Sequence, residues 1–355
     1  MTDPDTILCC SIEESSGKTA LTLALAQLAD ERGDDVGYMK PKGTRLGSSV
    51  GKTLDEDPLL ARELLDLDAE MHDLEPIVYS PTFIDGAIAG QEDVDALADR
   101  VRDAYESLVD GCNRMLVEGG GHVDLGGVVE LTDVDVADLL DARVLLVAGY
   151  AESTDVDPVL GVARRFGDRL AGVCFNAVGD VAFDELEADV VPFLEGRNIP
   201  VVGVLPRDQT LAGVTVAELA DALGGELLVE AGLDAYVERF TVGAMGADSA
   251  LRHFRRTRDA AVVTGGDRSE IHTAALEAPG VRCLILTGGH RPSGAVVGKA
   301  SEKGVPVVMV QTDTLRTVER AESVVRSGRT RDAETVDRMR TLLADHGDVD
   351  RILNG

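Results

Sequence analysis

The segment Ser15-Ser16-Gly17-Lys18-Thr19 restricts the possible folds of this chain more than any other feature. It follows an apolar run, Thr6 to Cys10, that is typical of a buried strand, and it opens a stretch from Lys18 to Arg32 that predicts a helix. A glycine turn between a strand and a helix directs backbone N–H groups toward an anion, and the lysine and threonine add an ammonium and a hydroxyl. The sequence therefore predicts a phosphate-binding loop (P-loop) in an α/β domain.

In this interpretation the Lys18 ammonium reaches the β- and γ-phosphates of ATP, and the Thr19 hydroxyl binds Mg²⁺. The other residues predicted to contact the nucleotide at this loop are Ser15, Ser16, Gly17 and Ala20. The alternative is a chance Gly-Lys-Thr at an ordinary helix start.

The loop departs from the usual pattern G-x-x-x-x-G-K-T in two ways. Ile12 stands at the position of the first glycine, and Glu13 and Glu14 bring negative charge close to the predicted phosphates. Both departures lower the nucleotide affinity that we expect.

Short apolar runs alternate with amphipathic stretches over residues 1–224, which predicts a doubly wound, mostly parallel sheet of the P-loop NTPase class. After the first strand, the predicted strands are Val36 to Met39, Arg114 to Val117, Val144 to Ala148, Gly172 to Asn176 and Val201 to Val204. We expect a connector at residues 225–242, a second and smaller α/β domain at 243–330, and a charged C-terminal helix or tail at 331–355.

Acidic residues outnumber basic ones by 64 to 34, which gives a formal net charge of −30. This excess and the scarcity of lysine resemble the proteins of extreme halophiles, because molar salt screens charges beyond about 3 Å. We find no basic stripe for nucleic acid, no signal peptide and no long apolar run. We therefore expect a cytoplasmic protein without nucleic-acid or membrane partners, in which the rare Lys18 and Lys40 are candidates for chemistry.

Several further segments resemble motifs of dethiobiotin synthetase and, still more closely, of the N-terminal region of long phosphotransacetylases, in which a P-loop domain precedes a DRTGG domain. The segments in the first part of the chain are Lys40-Pro41 with Gly43, Asp55-Glu56-Asp57, Val117 to Gly121, Asn176, and Gly203 to Asp208 with Leu211. The likeness extends over nearly the whole chain.

The resemblance implies a role for each of these segments. Lys40 would point at the transferred phosphate or at a substrate carboxylate, and Asp57 and Glu118 would bind Mg²⁺ together with Thr19. The residues implied to contact the nucleotide are Glu118, Gly119, Gly120, Asn176 and Pro206, with the Asn176 amide on adenine.

These ligand types also fit Mg²⁺ on chemical grounds, since hydroxyl, carboxylate and phosphate oxygens are its usual partners. Each residue has a simpler explanation as well. An aspartate before a helix, such as Asp57, is usually an N-cap, Glu118 and its glycines can be only a turn, and Asn176 can be a strand-end cap.

Two strand ends in the second part of the chain resemble the motif for which the DRTGG domain is named. They contain Gly265, Gly266, Asp267 and Arg268 in one case and Thr287, Gly288 and Gly289 in the other, with Ser269 where threonine is usual. Glycine turns that lead into helix N-termini near an arginine would suit a small anion or nucleotide. In the alternative, the glycines only permit tight turns.

Two functions from different classes fit these patterns. The first is an ATP- and Mg²⁺-binding sensor or regulator of acyl-CoA and acyl-phosphate metabolism, which acts on a partner enzyme and, by resemblance, forms a homo-oligomer. The second is an ATP-dependent ligase, similar to dethiobiotin synthetase or the cobyrinic acid amidases, in which Lys18 and Lys40 stabilise the transferred phosphoryl group. A scaffold that has lost nucleotide binding is a third possibility. Phosphotransacetylase activity is not expected from this chain alone, because its acyltransferase domain would need about 300 further residues.

The charge excess predicts that stability depends on salt. As KCl is lowered from molar concentration toward a few tenths molar, repulsion between carboxylates grows and the protein should unfold, which circular dichroism at stepwise KCl concentrations would record. Full stability at low salt would contradict the halophile interpretation.

Overall fold

The computed structural model describes residues 4–14, 16–44, 46–49, 52–327 and 332–355, and the chain divides into two compact units. The first unit comprises Met1–Arg207 and Thr330–Gly355, and the second comprises Asp208–Arg329. The first unit is therefore discontinuous in sequence.

The first unit contains ten strands before Arg207 in the part of the chain that the structure describes. They are β1 (Asp5–Ser11), β2 (Val36–Met39), β3 (Lys42–Gly43), β4 (Leu46–Ser49), β5 (Lys52–Asp55), β6 (Ile77–Val78), β7 (Arg114–Glu118), β8 (Arg143–Ala148), β9 (Leu170–Val178) and β10 (Val201–Pro206). The helices are α1 (Lys18–Asp30), α2 (Glu56–Leu64), α3 (Met71–Leu74), α4 (Pro81–Ile88), α5 (Val94–Leu108), α6 (Asp133–Leu139), α7 (Val156–Phe166), α8 (Asp180–Glu185) and α9 (Val191–Glu195).

Six of these strands form one parallel sheet in the order β10-β9-β8-β1-β7-β2. They are the six strands predicted from the sequence, and the predicted α/β class with a mostly parallel sheet is confirmed. β1 lies between β7 and β8 and is buried on both faces, as its continuous apolar run indicates. Because the strands are parallel, the loops that follow them meet at the carboxyl edge of the sheet.

The second unit contains strands β11 (Val214–Thr215), β12 (Glu226–Val229), β13 (Tyr236–Val237), β14 (Arg239–Val242), β15 (Ala260–Gly265), β16 (Val281–Thr287) and β17 (Val307–Met309). Its helices are α10 (Gln209–Ala212), α11 (Val216–Leu223), α12 (Ala247–Phe254), α13 (Ser269–Leu276), α14 (Gly294–Lys303) and α15 (Thr314–Ser327).

A five-stranded sheet, in the order β12-β17-β16-β15-β14, organises the second unit. β12 is antiparallel to its neighbour, and the other pairs are parallel. Alternate residues of β15 enter two separate cores: Val262 packs on one face, and Ala261 and Val263 pack on the other. The sheet is thus covered on both sides, as the period of two along a strand requires.

The chain after the second unit folds back onto the first as α16 (Ala333–His346) and α17 (Val349–Asn354). α16 packs along α1 and β10, and the backbone N–H of Asp348 donates to the carbonyl of Val202 at 2.7 Å. Arg114 and Arg143 donate to carbonyl groups of α17, with Arg114 Nη1 2.8 Å from Leu353 O. None of the described helices is long and apolar enough to cross a membrane.

The unit boundaries differ from those predicted. The prediction placed the boundary after residue 224, whereas the second unit begins at Asp208, and strands β12, β13 and β14 occupy the predicted connector at 225–242. The segment 331–355, predicted as a charged helix or tail, contains the helices α16 and α17, and their apolar residues are buried within the first unit. The many charged residues of α16 lie on its exposed side. The buried side is an apolar stripe at helical spacing, formed by Val336, Met339, Leu342 and Leu343.

The return of α16 yields a stability prediction. Leu343→Ala should destabilise the first unit by roughly 2–5 kcal/mol, because a fully buried leucine leaves a cavity. Denaturant unfolding in molar KCl would measure the change, with the exposed Asp345→Ala on the same helix as control. Equal stability of the two variants would mean that α16 is a loosely attached tail.

Candidate functional site

The predicted phosphate-binding loop lies between β1 and the N-terminus of α1, at the carboxyl edge of the sheet. Gly17 precedes α1 in a left-handed conformation (φ 82°), and a Cβ atom there would lie 2.4 Å from the amide nitrogen of Asn176. Glycine is the residue that meets both demands. The helix then begins with Lys18, Thr19 and Ala20, all buried. Ser15 lies outside the described residues.

Three buried carboxylates surround the ammonium of Lys40, which follows β2. Lys40 Nζ lies 2.9 Å from Asp55 Oδ2 and 3.4 Å from Glu118 Oε1, and it also contacts Asp57 Oδ2. None of the four side chains is more than 2% exposed. We call these four residues the Lys40 cluster.

Thr19 joins the Lys40 cluster from the start of α1. Its hydroxyl donates to Glu118 Oε1 at 2.8 Å and lies 3.3 Å from Asp57 Oδ2. Tyr38 supports the same glutamate, because its hydroxyl donates to Glu118 Oε2 at 2.8 Å. The structure therefore brings together the three residues predicted to bind Mg²⁺, which come from three separate elements.

Local structure explains how the acidic segment enters the cluster. Asp55 is the N-cap of α2, and its Oδ1 accepts from the backbone N–H of Asp57 at 2.9 Å. The capping role considered for Asp57 thus belongs to Asp55, which leaves the Asp57 carboxylate to face Lys40 and Thr19.

The charge state of Lys40 follows from its neighbours. Burial alone would lower the pKa of Lys40, but the carboxylates of Asp57, Glu118 and Asp55 outweigh burial and raise it above its usual range. The ammonium is therefore a fixed positive charge. Burial, followed by the charge of Glu118, raises the pKa of Tyr38, so its hydroxyl remains a neutral donor.

Lys18 does not join the Lys40 cluster, although it begins the same helix as Thr19. Its ammonium donates to the carbonyl of Gly120 in the loop after β7. A second buried lysine, Lys42, donates to Asp133 Oδ1 at 3.1 Å and to the carbonyl of Leu125 at 2.9 Å. Burial lowers the pKa of Lys42, and Asp133 opposes that effect.

Asn176, in the last part of β9, lies against the loop. Its side-chain Nδ2 donates to the carbonyl of Ser16 at 2.8 Å, so in this structure the amide fixes the loop directly. Its Oδ1 and second N–H are the groups available to a base edge. Pro206 ends β10 and pairs with Val178, at the same carboxyl edge.

The loop has the features that a nucleotide phosphate requires. The first N–H groups of α1 have no partner within the helix. Ser16 Oγ is buried and has no hydrogen-bond partner among the described residues. A buried hydroxyl without a partner is costly, and a phosphate oxygen would satisfy it.

The Lys40 cluster suits Mg²⁺ in its donor chemistry and its charge. Asp55, Asp57 and Glu118 give three carboxylates against one ammonium, so the cluster has an excess of negative charge that a divalent cation would reduce. No three Asp, Glu, His or Cys side chains in the described ranges form a metal site by themselves. Thr19 and phosphate oxygens would therefore have to complete the coordination.

Glu75 contacts the backbone of the Lys40 cluster but is not one of its four residues. Its Oε2 accepts from the backbone N–H of Asp55 at 2.9 Å, and its Oε1 is buried without a hydrogen-bond partner in the described chain. Burial raises the pKa of Glu75 to about 7.

In the second unit, the predicted glycine turns are held by internal hydrogen bonds. The N–H groups of Gly266, Gly288 and Gly289 donate to the carbonyls of Thr287, Thr312 and Val310. Arg268 donates to the carbonyls of Gly243 and Met245, the second at 3.1 Å, and Asp267 is exposed. These contacts favour the alternative in which the glycines permit tight turns.

Several residues of the first site were not predicted. Asp55 stood in the acidic segment without a role of its own, and nothing in the local sequence singled out Tyr38, Glu75 or Asp133. The one available signal was the scarcity of lysine, which applies to Lys42 as much as to Lys40. Three of the six lysines, at positions 18, 40 and 42, are buried at this edge of the sheet.

A parallel sheet with a Gly-Lys-Thr loop between its central strand and a helix, and with carboxylates at the next strand ends, defines the P-loop NTPase class. A family model described as an AAA domain (AAA_26) matches residues 5–215, and a DRTGG domain model matches residues 218–324. The chain belongs to this dethiobiotin synthetase-like AAA-domain family, with a DRTGG domain following.

Curated relatives match the chain in two ways. It is 23% identical to the phosphate acetyltransferase of Haemophilus influenzae, a match that covers 98% of this chain and 52% of that protein. It is 29% identical to the ATP-dependent dethiobiotin synthetase of Aromatoleum aromaticum, over 63% of this chain and 98% of the synthetase. The chain thus spans about half the length of the phosphate acetyltransferase and contains a counterpart of nearly the whole synthetase.

Among solved structures, the cell division protein MinD of Aquifex aeolicus matches 58% of this chain and 84% of its own. The identity is 17% and the TM-score is 0.35.

The position of Glu75 predicts a pH effect on stability. Because folding raises the pKa of this carboxyl from 4.5 to about 7, its stabilising contribution is complete below pH 4.5 and is lost as pH rises through 7. Glu75→Gln should therefore gain stability relative to wild type as pH rises over that window. Denaturant unfolding at several pH values would measure the difference, with the exposed Glu63→Gln as control. If the difference in stability between Glu75→Gln and wild type did not change with pH, the raised pKa of Glu75 would be contradicted.

Proposed function

We propose that the protein binds ATP with Mg²⁺ at the carboxyl edge of its first unit and acts as a nucleotide-dependent sensor or regulator of acyl-CoA and acyl-phosphate metabolism. The observation that carries the nucleotide proposal is the convergence of Thr19, Asp57 and Glu118 beside the phosphate-binding loop. The regulatory part rests on relatives, because the matches that cover both units are phosphate acetyltransferases.

In this proposal each residue has a physical task. The loop from Ser16 to Thr19 holds the phosphates through N–H groups, and Lys18 leaves the Gly120 carbonyl to neutralise the β- and γ-phosphates. Thr19, Asp57 and Glu118 would hold Mg²⁺, which neutralises phosphate charge when it is bound.

Lys40 keeps the carboxylates of its cluster close together without leaving them unpaired. Because this ammonium is already held by three carboxylates, its first task is to order the cluster. Contact with a transferred phosphoryl group would require it to give up at least one of those ion pairs.

An ATP-dependent ligase that activates a carboxylate is the second candidate. The extent of the synthetase match favours it, because almost the whole of that enzyme has a counterpart within 63% of this chain. Lys18 and Lys40 would then stabilise charge on the transferred phosphoryl group.

For the partners, we propose a nucleotide, an acyl-CoA-metabolising enzyme and a second copy of this chain, in the cytoplasm. The high negative charge argues against nucleic acid.

Calorimetric titration with ATP and Mg²⁺ in molar KCl, followed by an assay for released phosphate, tests these alternatives. Binding without turnover would support the sensor. Slow hydrolysis would support a ligase whose carboxylate substrate is missing, and absence of binding would reject both in favour of a scaffold.

Substitution of the loop lysine tests the nucleotide-binding proposal most directly. Lys18→Ala should abolish detectable ATP binding, because the phosphates lose their main positive partner at the loop. Lys299→Ala is the matched control, since Lys299 pairs with Glu277 in the second unit. Unchanged affinity in Lys18→Ala, with an unchanged unfolding profile, would reject the P-loop assignment.

A further inference from the structure

The buried pair of Lys42 and Asp133 has no task in the proposed function so far. Lys42 is 1% exposed and Asp133 is fully buried. Lys42 directs its ammonium to Asp133 Oδ1 and to the carbonyls of Leu125 and Leu131. The pair is therefore separate from the Lys40 cluster, although only Pro41 stands between the two lysines in sequence.

Asp133 connects this pair to the loop after β7. Its Oδ1 accepts from the backbone N–H of Gly120 at 3.0 Å, and a Cβ atom at Gly119 would lie 2.3 Å from its Oδ2. The carboxylate thus fits closely against the two glycines that follow Glu118. Asp133 Oδ2 is buried without a hydrogen-bond partner in the described part of the chain, so this fit leaves one polar atom unsatisfied.

The Gly120 peptide group links Asp133 to Lys18. Its N–H donates to Asp133, and its carbonyl accepts from the ammonium of Lys18. Contacts therefore run without a gap from Lys42 through Asp133 and Gly120 to the lysine of the phosphate-binding loop.

Stability alone does not account for such a pair. The free-energy cost of removing two charges from water usually offsets most of the free energy gained from their attraction. A protein with apolar residues of similar volume at the two positions is often as stable. An ionic pair does fix geometry, however, because each charge is restricted to the few positions in which its hydrogen bonds are made.

We propose that Lys42 and Asp133 are positioning residues that fix the Gly120 peptide group and, through it, the ammonium of Lys18 for the β- and γ-phosphates of a nucleotide. This inference rests on the proposed function. Lys42 and Asp133 do not touch the nucleotide in this proposal and act only through Gly120 and Lys18. The Gly120 carbonyl holds Lys18 next to the loop, so that a phosphate has only to draw the ammonium a short way.

Asp133→Asn tests the inference, because asparagine keeps the volume and the acceptor for Gly120 but removes the charge that holds Lys42. Binding of ATP, ADP and AMP with Mg²⁺ in molar KCl would be compared by displacement of a fluorescent ATP analogue. We expect affinity for ATP and ADP to fall about tenfold, as for other outer-shell partners of a site. AMP affinity should stay unchanged, because Lys18 reaches only the β- and γ-phosphates.

Asp135→Asn is the matched control, two positions further along α6. Asp135 accepts from the N–H and hydroxyl of Thr132 in a capping box. Equal losses for ATP, ADP and AMP, or the same pattern in Asp135→Asn, would overturn the inference and indicate a structural role only.

Three further outcomes are distinguishable. If wild type binds none of the nucleotides, the proposed function fails and this inference falls with it. If wild type binds and Asp133→Asn shows no selective loss, only the positioning role fails. If Asp133→Asn does not fold, Lys42→Met/Asp133→Asn, which buries no charge at the pair, replaces it and should show the same selective loss.

Discussion

The burial of one ammonium among three carboxylates, in the Lys40 cluster, is the constraint on which the rest of the site depends. Removing one partner from such a group leaves an uncompensated charge and costs about 3–5 kcal/mol. The end of β2, the end of β7 and the start of α2 must therefore meet at one place. The parallel sheet provides that place, because β2 and β7 are neighbours and end at the same edge. β1 is the next strand after β7 in the sheet, so the phosphate-binding loop that follows β1 lies beside the Lys40 cluster.

The sequence was informative about the first sheet because its strands are buried on both faces. Continuous apolar runs such as Val144 to Ala148 have few alternative interpretations in an α/β chain. Strands of the second unit were harder to predict where they lie at the sheet edges. β12 and β14 are short and carry exposed residues such as Glu226 and Arg239, so they read as a connector.

Sequence reasoning pointed to candidate site residues where the signal is local. Lys18, Thr19 and Glu118 stand in recognisable motifs at strand ends, and the structure gathers Thr19, Glu118 and Asp57 as the motifs imply. Residues that meet only in the folded structure have no recognisable sequence motif. Asp133 reaches Gly120 across a loop, and Tyr38 reaches Glu118 from a neighbouring strand, so neither has a characteristic spacing in sequence. The second-unit glycines were ambiguous from sequence, and internal hydrogen bonds now account for them.

The discontinuous first unit has a consequence for how the protein is made. α16 packs on α1, and Met339 of α16 lies beside Gly17, yet the ribosome synthesises α16 only after the entire second unit. Until then the apolar surface that α16 covers has no partner from its own chain. Domains that emerge first usually fold first, but here the earlier unit is completed last. A nascent chain therefore carries an incomplete first unit until the whole second unit has been synthesised, and α16 completes the packing around the phosphate-binding loop only afterwards.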